Sequence, residues 1–154
     1  MSPTTMELIR GGSLGQLVGH RCIGLTDLAG PQQVARDEVR AALNGRAGKE
    51  QIDDVVLAAD ELVGNAIQHA GGPVSLTLDT YEKGAAVGVV DRGTDTHALP
   101  AMPQCPPAHG DLDVVLESGR GLYLVALLAQ AWSVVQAEEG KMVQAVFVLP
   151  GGNL

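Results

Sequence analysis

The sequence predicts an α/β fold, a two-layer sandwich with a mixed, mostly antiparallel sheet on one side and about three helices on the other. Three observations carry this. Apolar residues at 52, 55, 56, 59, 62, 63, 66, 67 and 70 recur at helical spacing, giving one long helix with a broad buried stripe. Val74, Leu76 and Leu78 alternate with Ser75, Thr77 and Asp79 as a half-buried strand does, and Glu82-Lys83-Gly84 turns the chain into a second strand. Near the end, Trp132 to Ala137 and Met142 to Leu149 flank Glu138-Glu139-Gly140-Lys141 as another hairpin.

The elements follow in order. Residues 1–19 are rich in Gly, Ser and Thr without periodicity and read as a loose arm before a domain over 20–150, with 151–154 as a tail. Arg21 to Thr26 is the expected first strand. Gly30-Pro31 opens a helix over Gln32 to Leu43, where proline's fixed φ suits the first turn, and Asn44-Gly45 stops it. Arg36 and Arg40 share a face of that helix, either solvated or turned to a partner. The central helix, Ile52 to Ala70, projects Glu61 and Asn65 one turn apart from the side opposite its stripe. That side carries Leu57, Ala58 and Gly64 and no Lys or Arg, so either a covering segment or ligand lies over it or Glu61 and Asn65 face solvent on an amphipathic helix. A mid-helix glycine costs about 1 kcal/mol against alanine, which fits a close approach there.

Gly71-Gly72-Pro73 ends the helix and starts the strand Val74 to Thr80. Its return strand, Ala85 to Val90, runs into Asp91-Arg92-Gly93. Residues 94–118 hold four prolines and little pattern, as in a functional lid or a disordered loop. Glu117-Ser118-Gly119-Arg120-Gly121 then leads into an apolar helix over Leu122 to Ala131. Glycines before a helix leave backbone amides open at the positive end of its dipole, a natural phosphate seat.

Composition bounds the function. A chain of 154 residues, 45% apolar, suits one folded domain, and scarce aromatics leave the core to Leu, Val, Ile and Ala. With 18 acids against 10 bases the net charge is −8, which argues against direct nucleic-acid binding and suits a basic protein partner. Cys22 and Cys105 form no metal or redox spacing and read as reduced thiols. The first twelve residues lack a signal-peptide core and no apolar run spans a bilayer, so a cytoplasmic protein is expected.

Glu61…Asn65, Asp91-Arg92-Gly93 and Gly119-Arg120-Gly121-Leu122, in this order, resemble the nucleotide-binding boxes of the GHKL (Bergerat-fold) ATPases. Within them the chain is similar to the small bacterial anti-sigma factor serine/threonine kinases. Their helix often reads ELVxNAxxHA, matched by Glu61-Leu62-Val63, Asn65-Ala66 and His69-Ala70; their GRGL box matches Gly119 to Leu122, and a terminal GKxV matches Gly140 to Val143. The resemblance implies ATP and magnesium as ligands. Asn65 is then the magnesium ligand through its side-chain carbonyl, and Glu61 the general base for an attacking hydroxyl. Asp91 accepts from the adenine amino group, and Gly93 lets the backbone approach the base. Gly119, Arg120, Gly121 and Leu122 belong to the phosphate box.

The resemblance also implies partners: a sigma factor that is sequestered, a STAS-type anti-anti-sigma protein phosphorylated on Ser or Thr, and room for a homodimer. Three positions depart from the pattern. Gly64 stands where many relatives carry Thr, Gln144 where this subclass often has Trp, and the threonine other GHKL proteins use near adenine is lacking. Lys141 reads as a turn residue or a ligand contact. The alternative is a catalytically silent ATP-binding module that regulates its partner by contact alone. A sensor histidine kinase would need a dimerisation helix pair bearing a phosphoacceptor histidine, for which 154 residues are not expected to leave room.

Overall fold

Each period-two stretch becomes a strand and each 3.6-period stretch a helix. The computed structural model describes residues 14–69, 71–92, 120–137 and 140–149. The order is β1 (Leu17–Gly24), α1 (Pro31–Leu43), α2 (Lys49–His69), β2 (Pro73–Tyr81), β3 (Gly84–Asp91), α3 (Arg120–Leu128), β4 (Ala131–Ala137) and β5 (Gly140–Val148). The expected lid over 94–118, the turn at 138–139, the tail and the first thirteen residues lie outside the described residues.

The strands form one sheet in the order β1-β2-β3-β5-β4. Every described pairing is antiparallel, which narrows the mixed sheet expected from the sequence. Both hairpins are present, and the chain passes from β3 through α3 to β4, beyond β5. The three described helices pack in one layer: α2 lies between α1 and α3 and contacts β2, β3 and β5.

Between the layers, Val55, Ala59, Leu62, Val63 and Ala66 of α2 meet Leu76, Leu78, Val87, Val89 and Phe147 of the sheet, joined by Val39, Leu43 and Val125 of the flanking helices. Full burial of an aliphatic side chain of this size contributes about 1.5–3 kcal/mol, so this interface supplies most of the driving force. A smaller cluster, Leu14, Ala86 and Val146, sits on the other face of the sheet.

The differences from expectation have local causes. β1 begins at Leu17 instead of Arg21, so the arm expected over 1–19 overlaps it. As an edge strand it pairs from Leu17↔Tyr81 to Gly24↔Ser75 with a register shift after Leu17, and most of its residues are exposed. An exposed, irregular edge leaves little alternation to read. α2 starts three residues before Ile52 because its first turn, with Lys49, Glu50 and Gln51, is polar. Ile67, at the margin of the apolar stripe, is 46% exposed. α3 stops at Leu128, short of Ala131, where β4 begins and pairs with Val146.

Candidate functional site

At one end of the sheet, β3 finishes at Asp91, β2 starts at Pro73 and β5 starts at Gly140. α2 ends there too, because Gly71 (φ 75°) and Gly72 (φ 108°) turn the chain straight into β2. These left-handed angles suit glycine, and the Gly72 amide donates to the Ala66 carbonyl at 3.0 Å to close the helix end. The last turns of α2, with Glu61 and Asn65, are therefore carried to the end of the sheet where Asp91 lies.

Glu61 and Asn65 are half-buried and one helical turn apart, a spacing of roughly 5–6 Å between Cβ atoms. Ala58, one turn before Glu61, is fully buried, whereas Leu57 remains 39% exposed. The side of α2 that lacks Lys and Arg is thus partly covered, with α3 packed along the same helix. The close approach expected at Gly64 comes from α1. A Cβ on Gly64 would lie 3.0 Å from Gln32 Nε2, which donates to the Asp60 carbonyl at 3.2 Å. Beside it, Arg36 donates through Nη1 to Asp60 Oδ1 at 2.7 Å and through Nη2 to Gln33 Oε1 at 2.8 Å. Arg36 therefore ties α1 to α2, and Arg40 remains exposed.

Asp91 is buried, 2% exposed, at the last position of β3. Directly across the ladder on β5 is Lys141, 5% exposed, whose Nζ donates to Asp91 Oδ1 at 3.0 Å. Two ions removed from water demand this mutual contact. The strands also meet closely, since a Cβ on Gly140 would overlap the Asp91 carbonyl oxygen and the Arg92 backbone. Gly140 and Lys141 thus both serve Asp91, one by letting the backbone in and the other by pairing its charge. At the opposite end of the β2–β3 hairpin, burial, with the Asp79 carboxylate adding, raises the Tyr81 phenol above its usual pKa.

Arg120, Gly121 and Leu122 form the first turn of α3. The amides of a helix's first turn have no partners within the helix and lie at the positive end of its dipole, the arrangement that accepts anions. The other end of α3 is tied to the sheet at Ala131 and Val146, away from Asp91. Gly93, Gly119 and Ala70 lie outside the described residues. The half of α2 that carries Glu61 and Asn65 thus runs toward the end of the sheet where Asp91 lies, and there the structure adds Lys141, which the sequence left open between a turn and a ligand contact. The signal that could have found it is a lysine after the glycine opening the last strand, but the cross-strand register was needed to set it opposite Asp91.

The family model of the histidine kinase-like ATPase domain matches residues 28–147, from just before α1 through nearly all of β5. The chain belongs to the histidine kinase-like ATPase domain family. The GHKL-type sandwich expected from the boxes is the fold observed. Among solved structures, one titled as the RsbU and RsbW domains of Rv1364c from Mycobacterium tuberculosis is similar at TM-score 0.60 and 17% identity, covering 86% of this chain and 32% of that one. At that identity the likeness concerns the fold, and this chain spans about a third of its length. No curated protein matches the chain. Membership of an ATPase-domain family implies ATP as the ligand. Among the described residues, no helix is long and apolar enough to cross a membrane.

Proposed function

We propose that this protein is a regulatory kinase of the anti-sigma factor type, which binds magnesium-ATP, sequesters a sigma factor and phosphorylates a serine or threonine on a STAS-type anti-anti-sigma partner in the cytoplasm. The observation that carries the reading is Glu61 one turn from Asn65 on the helix that ends beside the buried Asp91. The donor chemistry fits the ligands: a buried carboxylate suits an exocyclic amino group, and an amide carbonyl is a hard oxygen for magnesium. Magnesium, when bound, neutralises phosphate charge and fixes the phosphate oxygens.

In this reading Asp91 accepts from the adenine amino group and Gly93 admits the base. Asn65 orients the metal. Arg120, Gly121 and Leu122 present the first-turn amides of α3 to the phosphates, with Gly119 as the preceding residue of the same box. Glu61 takes the proton of the attacking hydroxyl, within reach of the same helix face as Asn65. A protein that held ATP for contact alone would not need a base there.

Two measurements test this. Calorimetric titration should give ATP binding that requires magnesium, weakened about tenfold or more by Asn65→Ala. Labelled γ-phosphate should pass to a purified STAS-type protein from the same organism, and Glu61→Ala should keep ATP affinity while slowing transfer by about 10²–10⁴. Unchanged transfer in Glu61→Ala would remove the general-base assignment. ATP binding without transfer to any such protein would leave the contact-only module as the reading.

A further inference from the structure

We propose that Lys141 reads the base together with Asp91: its ammonium donates to adenine N1 while the carboxylate accepts from the 6-amino group. The inference rests on the ATP-binding reading and extends it to a residue that the sequence motif leaves without a role. Side chains directly opposite each other on neighbouring strands share a face of the sheet, and Lys141 stands opposite Asp91 on the face covered by the helices. Its ammonium is drawn out of water at that place, 3.0 Å from Asp91 Oδ1. A lysine ammonium has three donors and a carboxylate about four acceptor sites, so the two can hold each other and still bind a shared ligand.

The order of the two groups is what selects. Side by side they present an acceptor, then a donor. The Watson–Crick edge of adenine presents the complement, the 6-amino donor beside the N1 acceptor. Guanine presents the reverse, the O6 acceptor beside the N1–H donor, so an acceptor would meet Asp91 and a donor would meet Lys141. A carboxylate alone distinguishes one of these positions; the pair distinguishes both. Gly140 supports the arrangement by allowing β5 to approach the Asp91 backbone where a Cβ would not fit.

The test uses ATP, GTP and 1-deaza-ATP, in which a C–H replaces N1, titrated calorimetrically with magnesium into the wild-type protein and into Lys141→Met, with folding checked by circular dichroism. Wild type should bind ATP about tenfold or more tighter than 1-deaza-ATP, the worth of one hydrogen bond to a charged group. In Lys141→Met the two should bind alike to within about twofold, with the preference for ATP over GTP reduced in step. A purely structural lysine would weaken ATP and 1-deaza-ATP in equal proportion and leave their ratio unchanged, which overturns the proposal. Equal binding of ATP and 1-deaza-ATP by wild type also overturns it, whether or not Lys141→Met folds. If folded wild type binds no ATP at all, the ATP-binding reading itself fails and takes this inference with it; ATP binding with an unmoved ratio removes the inference alone.

Discussion

Asp91 and Lys141 show how strongly one pair of residues constrains this site. Each is almost wholly buried, so their mutual contact stands in for water that both have lost. Removing one partner from such a pair typically costs about 3–5 kcal/mol, because the survivor is left as an uncompensated buried charge. Asp91→Ala should lose stability of that size in urea denaturation, and Asp91→Ala combined with Lys141→Met should regain most of it. The two losses simply adding in the double variant would mean that the pair is not coupled in the fold. Asp91→Asn removes the charge but keeps the shape and one acceptor oxygen beside Lys141, which makes it the better variant for nucleotide titrations. The contact was not legible in the sequence, where Asp91 and Lys141 are fifty positions apart; it becomes visible when β5 returns antiparallel to β3 and sets the two opposite.

At the scale of elements, periodicity was a good guide wherever one face is buried and the other is not. α1, α2 and β2 fall within a few residues of their expected bounds for that reason, whereas β3, buried on both faces, was bounded by the turn at Glu82-Lys83-Gly84 and by Asp91-Arg92-Gly93. β1 was misplaced because an exposed edge imposes no alternation, and α3 was set too far along because the apolar run continues past the helix into Ala129 and β4. For the site, Glu61 and Asn65 could be paired from helical spacing alone, whereas the approach of α1 to Gly64 could be suspected but not identified. That approach has a measurable consequence. Gly64 lies mid-helix, where alanine is better by about 0.8–1 kcal/mol. The atom a Cβ would crowd is the amide end of Gln32, a flexible side chain whose bond to the Asp60 carbonyl is 3.2 Å long. Helix propensity should therefore outweigh the displaced amide, and Gly64→Ala should stabilise the protein by roughly 0.5–1 kcal/mol in a denaturant titration. Destabilisation would mean that Gln32 is held more firmly than its single bond suggests, making the α1–α2 contact a fixed part of the fold.

For the whole molecule, the sandwich gathers onto one end of the sheet groups that the chain supplies from α2, β3 and β5, so a ligand bridging them should stabilise the native state as a unit. By mass action, magnesium-ATP at a hundred times its Kd adds about 2.7 kcal/mol. In a domain of this size that raises the melting temperature by roughly 5–10 °C. The net charge of −8 adds a second expectation. Bare ATP brings further negative charge to an acidic protein, whereas magnesium offsets much of it, so the shift with ATP alone should be smaller at low ionic strength. Salt shortens the Debye length to about 10 Å at 0.1 M and should narrow the difference between ATP and magnesium-ATP. Asn65→Ala should remove the part of the difference that survives at high salt, because it takes away the contact to the metal, and should leave the salt-sensitive part, because the field of the protein is unchanged. A difference that persists undiminished in Asn65→Ala would assign the magnesium dependence to long-range charge and not to coordination.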